Sequence, residues 1–270
     1  MNQFYVITNK NKDKSYEVTH RIKQYIEDRG KSCILATEEA HIPEGTECIL
    51  VLGGDGTLMR AARELHSYDI PFLGINMGTL GYLSEADVNT MEDCLEQLIH
   101  GETHVERRMM LKGCVREVDD VALNDIVLAR HGSSVHMIKF HVYVNGELLN
   151  TYRADGMIVS TPTGSTAYNL SAGGPIVEPT ASMIVLTPIC SHALNTSSIV
   201  LSAEDEIVLE VGEGREGDVE EASVSFDGEH NISVKTGDKI VIKKAQDVTK
   251  LLKLSKDSFL EILRKKMKGN

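Results

Sequence analysis

The sequence predicts an α/β unit in its first part and a β-rich unit in most of the remainder. Two observations lead to this prediction. Short β-rich runs first alternate with helical patterns, as in a parallel sheet covered by helices. After about residue 105 the pattern changes to alternating strands separated by turn dipeptides. We therefore expect units at residues 1–102 and 103–248 and a C-terminal segment at 249–270.

The elements of the first unit follow from periodicity and from stop signals. Its expected strands are residues 4–8, 32–36, 48–52 and 71–75, and its expected helices are 15–29, 58–66 and 91–100. In the first helix Val18, Ile22 and Ile26 share one face, and Gly30 ends it. The strand CILVL at 48–52 is apolar on both faces, which is typical of a central parallel strand.

The second unit has the spacing of an antiparallel sheet. Residues 137–144 alternate strictly, Asn145-Gly146 is a two-residue hairpin signal, and the chain returns at 147–153. The further expected strands are 156–161, 198–211, 223–227 and 239–243. Ser165 is expected to cap a short helix. An amphipathic basic helix is predicted at 257–268, packing on the first unit.

Composition restricts the partners and the compartment. Lys and Arg number 28 against 40 Asp and Glu, giving a net charge of −12 and a pI near 5.3, which argues against nucleic acid and anionic membranes as partners. Five cysteines without a C-x-x-C spacing fit reduced thiols. There is neither a signal-peptide pattern nor an apolar run of the length of a membrane span. These features predict a cytoplasmic protein.

The strongest local signal is GGDGT at residues 53–57, called here the glycine loop, which follows the apolar strand and opens a helix. Glycines at the carboxyl end of a parallel strand let backbone amides approach a phosphate. Asp55 would repel that phosphate unless it holds a divalent cation or accepts a proton from an attacking hydroxyl. The alternative interpretation is structural, with Asp55 as a helix cap. Arg60, one turn into the helix, could offset the charge.

Two familiar nucleotide motifs are missing. The sequence contains no G-x-x-x-x-G-K-[ST] spacing, so a lysine-bearing P-loop is excluded. The first strand-to-helix turn lacks G-x-G-x-x-G, which disfavours a hydride-transferring dinucleotide enzyme.

A second signal is the block STPTGSTAYNLS at residues 160–171, called here the hydroxyl turn. Its hydroxyls, its glycine and the single aromatic Tyr168 suit a pocket for an adenine ring and its ribose, although an elaborate structural turn has the same composition. Asn124-Asp125 at the start of an apolar strand could bind adenine and ribose, or form an Asx turn.

Two other interpretations are weaker. The histidines His131, His136 and His141 are spaced by five, so on a strand successive ones point to opposite faces and do not converge on a metal. Ser165 lacks the G-x-S-x-G context of a hydrolase nucleophile.

The glycine loop, the Asn124-Asp125 pair and the segment 155–175 together resemble the NAD kinase family. The resemblance covers nearly the whole chain and includes NMGTLGY at 76–82, TPICSH at 187–192 and VSFDG at 224–228. GGDGT is shared with lipid kinases and phosphofructokinases, whereas the long Ser/Thr/Gly block is specific. The resemblance implies a Rossmann-like α/β N-terminal domain, a β-sandwich C-terminal domain and a C-terminal helix that packs back on the first.

The resemblance also implies a function and a set of site residues. The activity would be transfer of the γ-phosphoryl group of ATP to the 2′-hydroxyl of the adenosine ribose of NAD. The resemblance implies Mg²⁺ or Mn²⁺ as the cofactor and a homodimer or homotetramer as the assembly. Asp55 would accept the proton, with the phosphate loop Gly53, Gly54, Gly56 and Thr57 around it. The implied contacts to NAD are Asp55, Gly56, Arg60, Asn124, Asp125, Arg153, Asp155, Thr166, Ala167, Tyr168, Asn169, Leu170 and Ser171. The metal ligands stay unassigned.

Two rival functions use the same motifs. A lipid kinase of the diacylglycerol or sphingosine type shares GGDGT but needs an apolar acyl slot, and an aromatic content of 5% gives no sign of one. A non-catalytic NADP sensor would keep the pocket, but it would be expected to lose the acid at Asp55.

Overall fold

The computed structural model describes residues 1–36, 41–78, 81–131, 136–192, 197–254 and 258–267. They form two compact units, one made of 1–107 with 249–270 and the other of 108–248. The helices are α1 (Glu17–Glu27), α2 (Asp55–Glu64), α3 (Met91–His100), α4 (Tyr168–Ser171) and α5 (Phe259–Met267). No helix in these ranges is long and apolar enough to cross a membrane.

The first unit contains a parallel sheet. Its strands are β1 (Gln3–Thr8), β2 (Ser32–Leu35), β3 (Cys48–Gly53), β4 (Phe72–Asn76) and β5 (Ser84–Asp87). They lie in the order β5-β4-β3-β1-β2, and all of these pairs are parallel. Every residue of β3 is buried, so the expectation of a central apolar strand is confirmed. β5 was not predicted, because SEAD carries no β-rich signal.

Two helix starts differ from the expectation. α1 begins two residues later than predicted, and the carboxylate of Asp13 accepts hydrogen bonds from the amides of Val18 and Thr19 at 3.4 and 2.9 Å, which satisfies its amino end. α2 begins at Asp55, three residues before the predicted start, because the carbonyl of Gly54 already accepts the amide of Leu58. Asp55 therefore lies inside the first helical turn.

The strands of the second unit begin with the hairpin β6 (His104–Val115) and β7 (Val118–Ala122), which was not predicted. They continue as β8 (Asp125–Arg130), β9 (Ile138–Val144), β10 (Glu147–Ala154), β11 (Gly156–Ser160), β12 (Met183–Ile189), β13 (Ile199–Ser202), β14 (Ile207–Val211), β15 (Glu221–Phe226), β16 (Glu229–Lys235) and β17 (Lys239–Lys253). The chain crosses from one unit to the other within β6 and within β17.

These strands form two antiparallel layers. One layer has the order β13-β12-β11-β8-β15-β16, and the other contains β10-β9-β14-β17 with β6 and β7. Leu128 and Val159 from the first layer belong to one core cluster with Phe140, Leu209 and Ile240 from the second. The expected β-sandwich is therefore confirmed.

Local predictions in this unit succeeded at turns and failed at some strands. Asn145 and Gly146 have φ values of 51° and 82°, so the hairpin turn between β9 and β10 is confirmed. The expected strand 198–211 is two strands, and β12 and β16 were missed. The Ser165 cap is wrong: α4 has Ala167 as its N-cap without a side-chain bond.

The C-terminal segment packs within the first unit. Leu251 at the end of β17 pairs in parallel with Phe72. Lys253 and Glu85 form a buried ion pair, and Glu85 also accepts the amide of Leu254 at 3.1 Å. From α5 the ammonium of Lys266 lies 5.2 Å from the ring centroid of Tyr82. The predicted return of this segment is confirmed; the predicted helix ends at 257 and 268 lie outside the described residues.

Candidate functional site

The glycine loop joins the buried end of β3 to the start of α2. Gly53 is the last residue of β3 and Gly54 is the N-cap residue of α2 in extended conformation. The amino end of a helix presents unbonded amides and a positive dipole end, which favour an anion. Among the described residues, no atom beyond the chain neighbours and backbone of α2 itself lies within 4 Å of the position that a Cβ of Gly56 would take. This geometry suits a phosphate group.

Asp55 is held from outside its own helix. Its carboxylate accepts the backbone amide of Tyr82 at 2.7 Å and that of Leu83 at 3.3 Å. A Cβ at Gly81 would lie 1.9 Å from Oδ1 of Asp55, so only glycine leaves room for the carboxylate. The interpretation of Asp55 as a helix cap is wrong, because Gly54 occupies that position. The carboxylate is therefore fixed beside the glycine loop.

Asn76 ends β4 in the same unit. It is 1% exposed, and its Nδ2 donates to the carbonyl of Gly78 at 2.8 Å. Within the described residues its Oδ1 has no hydrogen-bond partner. A buried acceptor without a donor costs about 1–3 kcal/mol, so a ligand that donates a hydrogen bond to Oδ1 would gain stability here. Of the NMGTLGY motif, residues 79 and 80 lie outside the described part of the chain.

In the second unit Asn124 and Asp125 are organised by a distant carboxylate. Asp227, at the turn between β15 and β16, accepts the backbone amides of Leu123, Asn124 and Asp125 at 2.9, 2.7 and 3.1 Å. Its own amide donates to the carbonyl of Asp125 at 3.0 Å. Asp227 reaches this position because it has a φ of 51° and is followed by Gly228 with a φ of 74°. The pair is therefore clamped at the entry of β8.

The hydroxyl turn packs directly on the same pair. The amide of Thr161 donates to the carbonyl of Asn124 at 2.8 Å, and the hydroxyl of Thr161 donates to that of Leu123 at 2.6 Å. A Cβ at Gly164 would lie 2.2 Å from the carbonyl oxygen of Asn124, so this close approach requires glycine. Buried Arg108 donates to the hydroxyl of Thr163 at 3.3 Å. The structure thus brings two of the predicted segments together.

The end of the hydroxyl turn has an outer and an inner side. Tyr168 is 46% exposed and Leu170 is 40% exposed, so a flat ring and an aliphatic side chain face solvent. Asn169 is fully buried; its Nδ2 donates to the carbonyls of Ser165 and Pro175, and its Oδ1 accepts the hydroxyl of Thr187 at 2.6 Å. Its side chain therefore supports the turn, while Tyr168 is available for stacking.

Arg153 and Asp155 lie at the end of β10 and just beyond it. Asp155 is paired with Arg130, with 3.2 Å between Oδ1 and Nε. Exposed Arg153 lines an open cavity of about 600 Å³ together with Lys139, His192 and Arg215. The cavity is lined by three basic side chains, one of them Arg153, and by the three acidic side chains Glu213, Asp218 and Glu220.

Comparisons with known proteins give matches along nearly the whole chain. A model of the ATP-NAD kinase N-terminal domain matches residues 8–103, and a model of the ATP-NAD kinase C-terminal domain matches residues 123–254. The NAD kinase of Agathobacter rectalis is 48% identical over 283 residues, covering 100% of this chain and 99% of that protein. For the NAD kinase of Lachnospira eligens the identity is 45% over 294 residues, with coverage of 99% and 100%.

The chain belongs to the NAD kinase family. A solved structure of an NAD kinase from Archaeoglobus fulgidus in complex with ATP has a TM-score of 0.80 and 27% identity, and the match covers 94% of each chain. The expected family, fold class and phosphotransferase class are confirmed. The matching models and relatives are NAD kinases, which disfavours the lipid-kinase alternative.

For an NAD kinase, some site residues carried a sequence signal and others did not. The glycine loop and the hydroxyl turn were found from their composition. Asp227 appeared only within the VSFDG motif at 224–228, and Arg108 was not singled out. Arg60 is exposed on α2 with its Nε 3.9 Å from Glu64, in an i,i+4 pair that costs little to break. In the described residues no group of three His, Cys, Asp or Glu could hold a metal ion.

Among the predicted site residues, Asp125 has a raised pKa. It is 5% exposed, and burial, followed by the nearby charge of Asp227, raises its pKa to about 7. The pKa in the folded state exceeds the ordinary value of 3.8, so the folded state holds this proton more tightly. The resulting contribution to stability is complete below about pH 4 and is lost as the pH rises through about 7.

We expect Asp125→Asn to remove this pH dependence. The variant should gain stability relative to the wild type by at least about 2 kcal/mol between pH 5 and pH 8.5, because only the wild type must ionise a buried carboxyl. Urea unfolding at both pH values measures the difference. Exposed Asp218→Asn is the control and should follow the wild type. Equal pH dependence in Asp125→Asn and the wild type would contradict the assignment.

Proposed function

We propose that this chain transfers the γ-phosphoryl group of ATP to the 2′-hydroxyl of the adenosine ribose of NAD, giving NADP and ADP. The observation that carries this proposal is the Asp55 carboxylate, fixed by the amides of Tyr82 and Leu83 beside the open backbone of the glycine loop. Phosphoryl transfer to a hydroxyl needs alignment, neutralisation of phosphate charge and a proton acceptor. The loop and Asp55 supply these within one helical turn.

The residue roles extend this proposal. Asp55 accepts the proton of the 2′-hydroxyl as the new P–O bond forms and the bond to ADP breaks. Gly53, Gly54, Gly56 and Thr57 hold phosphates through the backbone, and Arg60 adds charge. Asn124 and Asp125 bind the adenosine, and residues 166–171 line its pocket, with Tyr168 as the stacking face. Arg153 and Asp155 contact the nicotinamide half of an NAD molecule that is bound by a second copy of the chain.

A divalent cation, Mg²⁺ or Mn²⁺, fits the donor atoms present. Asn76 Oδ1 is a buried oxygen without a hydrogen-bond donor among the described residues, and Asp55 offers a carboxylate. Hard cations of this kind are held by few protein oxygens together with substrate phosphates. When bound, the cation would neutralise charge on the transferring group.

The assembly and the compartment belong to the same proposal. A homodimer or homotetramer is supported by β10, which lies at the edge of its sheet and exposes Leu148 and Leu149. A cytoplasmic location is supported by the five cysteines, all of which are unpaired with one another. NAD, NADP and ATP are the proposed small-molecule partners, and the net charge of −12 opposes nucleic acid and anionic membrane surfaces.

One assay tests the activity. Purified protein is mixed with NAD, ATP and Mg²⁺, and NADP formation is coupled to an NADP-specific dehydrogenase. We expect NADP to accumulate in proportion to enzyme, and the signal to stop with EDTA. Absence of signal with NAD or NADH, whatever the phosphoryl donor, would refute the proposal.

A further inference from the structure

The loop between β1 and α1 is built to place Lys12. The amide of Asn9 donates to the carbonyl of Leu52, and the carbonyl of Asn9 accepts the amides of Lys12 and Asp13 at 2.9 and 3.1 Å. The side chain of Asn9 donates to the hydroxyl of Thr57 at 3.0 Å, which attaches this turn to the glycine loop. The position of Lys12 is therefore fixed relative to the amino end of α2.

The ammonium group of Lys12 lies over two glycines. Its Nζ is 3.1 Å from the position of a Cβ at Gly54 and 3.5 Å from that of a Cβ at Gly78. Side chains at these two positions would fill the space between the ammonium and the backbone. Because both residues are glycines, a ligand can approach the ammonium and the loop amides together.

A second and independent observation points to a ligand in this space. Buried Asn76 Oδ1, which has no hydrogen-bond partner among the described residues, is 3.9 Å from the same Cβ position of Gly54. An amide oxygen only accepts hydrogen bonds, so it does not bind a phosphate oxygen. A chain of phosphates that carries a hydrated divalent cation would satisfy both groups. Its phosphate oxygens would accept hydrogen bonds from Lys12, and a water on the cation would donate one to Asn76 Oδ1.

We propose that Lys12 binds the phosphates of the phosphoryl donor above the glycine loop and is a further catalytic residue of this kinase. The proposal rests on the phosphate-binding role of the glycine loop. Lys12 takes the part that a lysine has in P-loop enzymes, although it comes from a separate turn of the chain and not from the loop itself.

The test compares Lys12→Gln and Lys12→Arg with Lys14→Gln, an exposed lysine in the same turn. Magnesium ATP is titrated into each protein by calorimetry, and the coupled assay gives kcat/KM for ATP and for NAD. We expect Lys12→Gln to weaken ATP binding and kcat/KM for ATP by about 30-fold, because a charge-assisted contact is lost. Lys12→Arg should keep most of both, and the KM for NAD should change less than about threefold.

The control variant should match the wild type in every parameter. ATP binding by Lys12→Gln equal to that of the wild type, an equal loss in Lys14→Gln, or an equal rise in the KM for NAD would each overturn the proposal. Thermal unfolding of each variant checks that the substitutions at the exposed positions 12 and 14 leave the fold intact. If the wild type forms no NADP, the proposed function fails, but the ATP titration still decides the role of Lys12.

Discussion

Asp55→Asn is expected to lose about 10²- to 10⁴-fold in turnover while NAD binding is retained. Asparagine has the same shape, so the glycine loop and the first turn of α2 persist, but it does not accept the proton of the attacking hydroxyl. The amide of Tyr82, now 2.7 Å from the carboxylate, still finds an oxygen in the variant. The coupled assay gives turnover, and calorimetry gives the affinity for NAD.

The matched control is Asp93→Asn, which also changes an acidic residue in the first turn of a helix of the same unit. It should keep wild-type turnover. If Asp55→Asn turned over within about tenfold of the wild type, Asp55 would not be the proton acceptor and its role would be electrostatic or structural. A parallel loss in Asp93→Asn would show a general effect of helix stability and not of chemistry.

The parts of the site that the sequence could predict are local in the chain. The glycine loop follows a strand that is buried along its whole length, and both the strand and the three glycines are visible in residues 48–57. The hydroxyl turn is likewise one continuous segment. Spacing rules operate over a few residues, so they recover motifs of this kind and the hairpin turn at Asn145 and Gly146.

The parts that could not be predicted depend on contacts between distant residues. Asp227 was visible only as a member of the VSFDG motif, since its clamp on the amides of residues 123–125 crosses about a hundred positions of sequence. Lys12 is one of several lysines in its turn, and only the folded chain distinguishes it. The extension of β17 to Lys253 depends on its pairing with β4. This pairing has no sequence signal of its own.

Asp227→Asn is expected to raise the KM for NAD by about 100-fold, because the charged acceptor that holds Asn124 and Asp125 is lost. Hydrogen bonds to charged groups contribute about 1.5–3 kcal/mol each, and about 2.7 kcal/mol corresponds to a factor of 100. The KM for ATP should stay near that of the wild type if the clamp serves only the NAD side. The coupled assay with each substrate varied in turn measures both constants.

The control for Asp227→Asn is Asp205→Asn in the same unit, since Asp205 also accepts a backbone amide at a turn, that of Ser202 at 2.9 Å. Both variants should lose stability, but only Asp227→Asn should lose affinity for NAD. A further readout separates positioning from mere stability: removing the charge of Asp227 should lower the pKa of Asp125 from about 7, since that charge is its second cause after burial. An unchanged KM for NAD in Asp227→Asn would restrict the clamp to folding, whereas a raised KM with a lowered pKa of Asp125 would show that one carboxylate sets both the position and the protonation of Asp125.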